Sequence, residues 1–294
     1  MTAVSLAQVL IGGLQTGGIY ALLALSYYVI LGATGILNFA QGEWMMLAAV
    51  VGVVLLELGA PYPLAVVMSI AAATAAALMA ERLVIRPMQA RHASHGMLLV
   101  VLFAVLIVVR HSTAHLFGPA DHPLPGPLPD RIIFLGDSLF IRPQTVVVYV
   151  CVAAVFIAVW WFMHRTWPGR SLRVAAIDPV GAQLIGIDLG RVRFIAFGLG
   201  GLIAALTGWL YGPLFAASYA IGNAPGIKGF IALILGGIGS PLGALVGGLS
   251  LGILELAAAR YASSLWSEAV SFLILIAVLM LRPSGLTGLR GARR

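Results

Sequence analysis

The stretch HRTWPGRSLRVAAIDPVGAQLIGIDLGRVR, residues 164–193, is the longest polar segment with a helical pattern in an otherwise apolar chain. Asp178 followed by Pro179 is typical of a helix N-cap with proline at the first helical position. Gly186 stands where a helix commonly ends on glycine. The sequence therefore predicts a short capped helix in the water beside a membrane, which suggests a docking element.

The composition around this stretch is that of a membrane protein. Of 294 residues, 61% are hydrophobic and only 9% are charged, whereas a soluble domain has about 25% charged residues. The apolar residues come in long continuous runs, and a membrane β-barrel would instead show alternating segments of about ten residues. We therefore predict an all-α, polytopic membrane protein.

The net charge of +7 comes mainly from arginines in the loops between apolar runs. Such arginines mark cytoplasmic loops of membrane proteins. The chain has no long basic run or basic–aromatic patch of the kind that binds nucleic acid. No nucleic-acid partner is expected. The apolar surface is expected to contact the lipid bilayer.

The apolar runs predict about eight transmembrane helices, within a range of about seven to ten. The whole chain, residues 1–294, is predicted to form one membrane domain that includes the cytoplasmic loop 164–193. A proline-rich connection at 117–143, with Asp121, Asp130 and Asp137, is expected outside. The predicted spans are 9–31, 44–58, a third that ends near 83, 96–109, 144–163, 194–216, 226–258 and 265–281.

Residues 226–258 are too long for one straight span of about 20 residues. If the loop 164–193 and the basic tail (Arg282, Arg290, Arg293, Arg294) are both inside, an even number of crossings separates them. The segment must then cross twice or turn back, and a hinge at 239–241 satisfies this count. The side of the N-terminus stays open.

The first candidate site is a glycine-broken segment near 32–43, where polar residues interrupt the apolar pattern. Broken helices in transporters expose backbone groups near the midplane, where they can hold zwitterionic substrates. The alternative is that the acid merely lies at a membrane interface or in a helix N-terminal turn, where the dipole favours it. The candidate pathway residues here are Asn38, Gln41, Gly42 and Glu43.

The second candidate is the glycine-broken segment 236–241. For most glycines that recur every four residues after it, close helix packing is the better interpretation. The hinge itself is the more functional part, and we expect Gly236, Gly237, Gly239 and Ser240 to line the pathway.

The motifs of several other function classes are missing from the sequence. No nucleophile–base signature indicates an enzyme. The only lysine, Lys228, is followed by glycine, so it does not belong to a phosphate-binding loop. His111 and His115 have no third ligand, which a metal site would need. We expect no catalytic residue, metal or cofactor, and ATP would have to be bound by another subunit.

Several stretches resemble permease subunits of branched-chain amino acid ABC importers, of the LivH type. The similar segments are GILNFAQGE at 35–43, DPVGAQLIGI at 178–187, YGP at 211–213 and LGGIGSPLGA at 235–244. They occur in the family's order over nearly the whole chain.

The resemblance implies an assembly in the cell inner membrane. A second permease subunit, expected to be a different chain, would complete the pathway. Two cytoplasmic ATPase subunits would drive it, and a periplasmic protein would deliver substrate. The segment from Asp178 to Gly186 would be the helix that inserts into the ATPase, and the implied coupling residues are Arg173, Asp178, Pro179, Ala182, Leu184 and Gly186.

The chain departs from the family pattern in two places. Val180-Gly181-Ala182 stands where Glu-Ala-Ala is common, and one glycine weakens a helix by about 1 kcal/mol relative to alanine. Gln41 stands where histidine is common. The family also transports urea, short amides and aromatic acids, so the substrate is open.

The sequence thus predicts the permease subunit of an ABC importer for branched-chain or related amino acids. The alternative is a self-contained secondary transporter of small amino acids or amides, driven by H⁺ or Na⁺. The scarcity of acidic residues in the apolar runs and the helix-bearing cytoplasmic loop favour the importer.

Overall fold

The structure is a computed structural model that describes residues 3–129, 132–135, 139–261, 264–282 and 284–287. Asp130, Asp137, Arg290, Arg293 and Arg294, which entered the predicted topology, lie outside these described residues.

The described chain is predominantly helical, as expected. Six helices are long and apolar enough to span a membrane, and two shorter apolar helices accompany them among the described residues. This confirms the polytopic helical class and is consistent with the predicted range of spans. The helices are α1 (Ala3–Thr34), α2 (Gln41–Glu57), α3 (Tyr62–Ala80), α4 (Arg86–Ala90), α5 (His95–Phe117), α6 (Pro143–Arg165), α7 (Trp167–Ile177), α8 (Pro179–Leu184), α9 (Leu189–Phe215), α10 (Asn223–Gly236), α11 (Pro241–Tyr261) and α12 (Ser264–Leu281).

Both predicted helix breaks are present. Gly35, with φ of 66°, ends α1, and an irregular segment leads to the start of α2. Gly237, with φ of 103°, separates α10 from α11. Positive φ is readily adopted by glycine and rarely by other residues, so the glycine pattern located these breaks correctly.

Three features differ from the expectations. Helix α5 runs to Phe117, eight residues beyond the predicted end at 109, because Arg110 lies inside the helix with a buried partner. Helix α7 was not predicted at all. The connection before α6 carries a small antiparallel hairpin that was not predicted, β1 (Ile133–Leu135) with β2 (Leu139–Ile141).

Helix α3 continues into α4 through a π-helical turn at Glu81–Ile85. In this turn the amide of Arg86 donates to the carbonyl of Glu81, five residues back. Pro87 follows at once, and proline has no amide for an ordinary helical bond to Leu83. The wider turn lets the helix continue past the proline.

The chain forms two compact units, each assembled from separated segments. Unit 1 takes residues 1–28, 126–156 and 227–294, and unit 2 takes residues 29–125 and 157–226. The prediction of one membrane domain for the whole chain stays a prediction.

Glycine-to-glycine packing of α1 against α11 organises unit 1. A Cβ atom on Gly17 would lie 2.8 Å from both the Gly248 carbonyl oxygen and the Leu249 Cα. A Cβ on Gly252 would meet the Gly17 backbone and, at 2.5 Å, the Gly13 carbonyl oxygen. The packing interpretation is therefore correct for Gly248 and Gly252, because only glycine allows the two backbones to approach so closely.

Unit 2 is built on α2, which packs against α3 and α9. Small buried side chains keep these helices close, among them Ala48, Ala49, Ala73 and Ala205. Trp209 of α9 covers Gly52, and its indole N–H donates to the Ser69 hydroxyl at 2.6 Å. This bond satisfies two polar groups inside an apolar core.

We expect Gly252→Ala to destabilise the protein by about 1–3 kcal/mol, the usual cost of overpacking. The added methyl group would collide with the backbone at Gly17 and Gly13. The thermal unfolding midpoint of the purified protein in detergent measures this. Gly96→Ala in α5 is the matched control, because nothing lies within 4 Å of its Cβ position. An unchanged midpoint for Gly252→Ala would show that the α1–α11 contact is looser than described.

Candidate functional site

The polar residues of the first break gather at the start of α2 and are buried. Asn38, Gln41 and Glu43 are each at most 1% exposed. The Asn38 side-chain oxygen accepts from the Ala40 amide at 3.1 Å, which closes a turn just before the helix begins. This side-chain turn satisfies the backbone where the helical bonds are interrupted.

Glu43 lies in an ion pair that the sequence analysis did not predict. Arg110 of α5 donates to Glu43 Oε1 through Nη2, and through Nε at 3.1 Å. The same Nη2 also lies 3.2 Å from the side-chain oxygen of Asn223, at the start of α10. One guanidinium thus joins α2, α5 and the start of α10 within unit 2.

The position of Glu43 at a helix N-terminus agrees with the alternative interpretation of this acid. Glu43 lies in the first turn of α2, where the helix dipole favours a negative charge. The dipole does not replace a partner for a buried carboxylate, however. The signal for Arg110 was present in the sequence as a lone arginine in the apolar run after residue 96.

Gly42 allows a close backbone contact at this site because it has no side chain. A Cβ atom on Gly42 would collide with the carbonyl oxygen of Gly222 and lie 3.2 Å from the Gly226 Cα. The start of α2 therefore touches the chain that enters α10 backbone to backbone. This contact places Asn223 beside Arg110.

Two buried polar atoms of the site form no hydrogen bond with the described residues. Within the part of the chain that the structure describes, the buried atoms Asn38 Nδ2 and Glu43 Oε2 have no hydrogen-bond partner. Leaving a buried polar atom unpaired is costly, so such atoms are rare and call for an explanation. One donor and one acceptor therefore remain unpaired near the start of α2 among the residues described.

The second predicted break lies in unit 1 and has its own internal partners. The Ser240 hydroxyl accepts from the Gly243 amide at 3.0 Å and caps α11. The carbonyl of Gly236 accepts from the backbone and side chain of Thr287, at 3.0 and 2.7 Å. Gly236 packs against Gly243, whereas nothing lies within 4 Å of a Cβ on Gly239.

Unit 1 contains a second ion pair, between the short apolar helix α10 and the membrane-length helix α11. Lys228 of α10 lies 2.5 Å from Glu255 Oε1 of α11, and its ammonium is 5.7 Å from the ring centre of Tyr20. The sequence analysis noted Lys228 only to exclude a phosphate-binding loop and did not identify this pair.

The polar loop 164–193 consists of two helices. The Thr166 hydroxyl caps α7 by accepting from the Gly169 amide at 3.1 Å, and Pro168 lies at the helix start. Thr166 before Trp167-Pro168 follows the same rule as Asp178 before Pro179, so this helix could have been predicted. Leu172 and Ala175 form its buried side.

The predicted caps of α8 are confirmed. Asp178 Oδ1 accepts from the amides of Val180 and Gly181, both at 3.0 Å. Gly186 has φ of 86°. The Gly186 amide donates to the carbonyl of Gln183, and the Ile187 amide donates to the carbonyl of Ala182, both at 2.9 Å. This is the bonding pattern of a Schellman motif.

The side chains of this helix pair divide into two sets. Ala182 is fully buried, and Arg173 is half-buried. Large apolar side chains point outward instead: Trp167, Ile177, Val180, Leu184 and Ile185 are 68–86% exposed. Exposed apolar clusters of this kind mark interaction sites.

Six membrane-length apolar helices place the described chain in the class of polytopic helical membrane proteins. The chain belongs to the family described as "Branched-chain amino acid transport system / permease component", whose model matches residues 9–279. It is a multi-pass protein of the cell inner membrane.

Individual relatives agree with the family. The chain is 30% identical to the high-affinity branched-chain amino acid transport system permease protein BraD of Pseudomonas aeruginosa, over 96% of this chain and 95% of that protein. It is 31% identical, with the same coverage, to the corresponding permease LivH of Escherichia coli K12. It is 26% identical to the probable permease LivH of Methanocaldococcus jannaschii, over 96% and 92%.

Among solved structures, the chain resembles "PsaBC from Streptococcus pneumoniae in complex with Fab". The TM-score is 0.51 at 12% identity, and the match covers 93% of this chain and 91% of that one. This similarity supports the fold alone.

We expect Glu43→Gln to destabilise the protein strongly, by about 3–5 kcal/mol, because it leaves the Arg110 charge without its partner. The measurement is the thermal unfolding midpoint in detergent. Glu57→Gln is the control, since Glu57 pairs with His122 at 3.1 Å on the surface and such pairs contribute about 1 kcal/mol or less.

The double variant Glu43→Gln/Arg110→Gln should unfold at a higher temperature than Glu43→Gln alone, since it removes both charges. If the double variant were the less stable of the two, Arg110 would be held by groups other than Glu43.

Proposed function

We propose that this chain forms part of the substrate pathway of an ATP-driven (ABC) importer for branched-chain or related amino acids. The observation that carries the proposal is the capped helix pair α7–α8, which presents apolar side chains outside the membrane-length helices. A permease that worked alone would gain nothing from such a surface.

The partner for this surface is a cytoplasmic ATPase. The arginines of the loop indicate the cytoplasmic side. Val180 and Leu184 lie four residues apart on α8 and would enter an apolar groove. Asp178, Pro179 and Gly186 would define the ends of the helix. Ala182 would pack against the rest of the chain, and Arg173 would pair with an acidic group of the ATPase.

The full assembly would contain a second permease subunit of a different sequence, two ATPase subunits and a periplasmic binding protein. ATP binding would close the ATPase pair and move the helix pair α7–α8, and α6 and α9 would transmit this motion to the spans.

The start of α2 supplies groups of both kinds that a zwitterionic amino acid requires. Glu43 Oε2 could accept from the substrate ammonium, and Asn38 Nδ2 and Arg110 could donate to its carboxylate. We place Asn38, Gln41, Gly42 and Glu43 on the pathway, with Gly236, Gly237, Gly239 and Ser240 at the second break.

The competing function is an ion-driven secondary transporter. Such a protein needs an intramembrane carboxylate that can gain and lose an ion during the cycle. Among the described residues, Glu43 and Glu255 are each held by a fixed cation, Arg110 and Lys228. The pairing favours the importer. Uptake by the purified chain alone under a proton or sodium gradient would support the competitor.

We expect Leu184→Asp to leave the protein folded but to reduce co-purification of the ATPase at least about tenfold, since a charge in an apolar groove costs more than 1.4 kcal/mol. Gln183→Asp is the control, because it adds the same charge to a neighbouring position that is already polar. Equal losses in both variants would mean that charge alone weakens the complex and that Leu184 does not enter a groove.

We expect Asn38→Leu to impair substrate uptake while ATPase co-purification stays normal. Asn38→Ser is the comparison, since its hydroxyl can still accept from the Ala40 amide and keep the turn. If both variants transported normally, Asn38 would not belong to the pathway. If co-purification failed in Asn38→Leu, its role would be structural.

A further inference from the structure

A cavity of about 470 Å³ lies in unit 2, between the π-helical turn after α3 and the start of α9. Three arginines line it together with two acids and one aromatic side chain. These residues are Arg82, Arg86, Arg191, Glu81, Asp188 and Phe194. The proposed pathway and the coupling helix do not use this cavity.

The two acids of the cavity are already occupied. Glu81 Oε1 pairs with Arg193 Nε at 2.6 Å. Asp188 caps α9 by accepting from the amides of Gly190 and Arg191, at 2.8 and 3.3 Å, and its other oxygen pairs with the Arg191 side chain at 3.3 Å. Both negative charges therefore have cationic partners within unit 2.

Arg82 and Arg86 have no such partner. Neither lies within 4.0 Å of an acidic oxygen in the described ranges of the chain. Both side chains are exposed, and both line the same cavity. Two unneutralised guanidinium groups that face one cavity favour an anion, and phosphate matches their geometry well.

The helix that carries these arginines also presents an apolar stripe. Leu64, Met68, Met79 and Leu83 lie along one side of α3 and its continuation, and each is 51–72% exposed. In a bilayer such a stripe contacts acyl chains. The stripe ends at Leu83, next to Arg82 and Arg86. Two positive charges therefore lie at one end of a surface suited to hydrocarbon.

The geometry points to a binding site for an anionic phospholipid of the cytoplasmic leaflet. Its phosphate would pair with Arg82 and Arg86, and its acyl chains would lie along the α3 stripe. The arginines of this region indicate the cytoplasmic side. Basic pockets between helices on that side are suited to anionic headgroups. The free acidic side chain of a protein partner would match the arginines but not the apolar stripe.

The test uses the full chain, purified in mild detergent and stripped of lipid. Dioleoyl phosphatidylglycerol should raise its thermal unfolding midpoint, and dioleoyl phosphatidylcholine should not. Native mass spectrometry should show retained phosphatidylglycerol. In Arg82→Gln/Arg86→Gln, the concentration needed for half of the shift should rise roughly tenfold to hundredfold.

Arg91→Gln/Arg170→Gln is the matched control, because it removes two exposed arginines that do not line the cavity. It should keep the wild-type response. Arg82→Lys/Arg86→Lys should retain most of the response, which separates loss of charge from misfolding.

Three results would overturn the proposal. An equal response to phosphatidylcholine would show that the site does not select anionic lipid. A full shift with glycerol 3-phosphate alone would assign the cavity to a small soluble anion. Loss of ATPase co-purification in Arg82→Gln/Arg86→Gln, with phosphatidylglycerol binding intact, would assign the arginines to a protein contact.

Discussion

Inside a bilayer, each polar group must find its partner within the protein, because hydrocarbon offers none. This constraint explains the main features of the chain. Where α1 stops and α2 has not begun, Asn38 closes the turn. The guanidinium of Arg110, which lies within α5, donates to the side-chain oxygens of Glu43 and Asn223. Where α10 ends, the Thr287 hydroxyl donates to the carbonyl of Gly236. At each of these three places, a side chain supplies a hydrogen bond that the helix pattern alone does not provide.

Glycine makes these partners reachable. The contact of Gly42 with Gly222 allows the start of α10 to lie beside α2, which puts Asn223 within reach of Arg110. In unit 1, Gly252 meets Gly17 in the same manner. A methyl group at Gly42 would separate the start of α2 from the chain that enters α10, and with it Arg110 from Asn223. At this contact, close packing and polar pairing depend on each other.

Local sequence rules located the features that depend on neighbouring residues. The caps of α8 and both glycine breaks follow from a few adjacent residues, and α7 could have been found from Thr166 and Pro168 by the same rules. The partners of Arg110 and Lys228 could not, because each ion pair joins residues on different helices. The apolar pattern also ended α5 too early, since an arginine inside a span is acceptable only with a partner that the pattern does not reveal.

The two buried ion pairs also bear on how tightly a substrate could be held. Glu43 and Glu255 each give one oxygen to a cation, and in each the other oxygen has no hydrogen bond among the described residues. A carboxylate that is already neutralised attracts an ammonium group only weakly, while a bare buried one would bind it tightly or take up a proton. Weak attraction suits a pathway, because a substrate must leave as readily as it enters. On the proposed function, selection would then rest mainly with the binding protein, and the free energy for directed transport would come from the ATPase through α7 and α8.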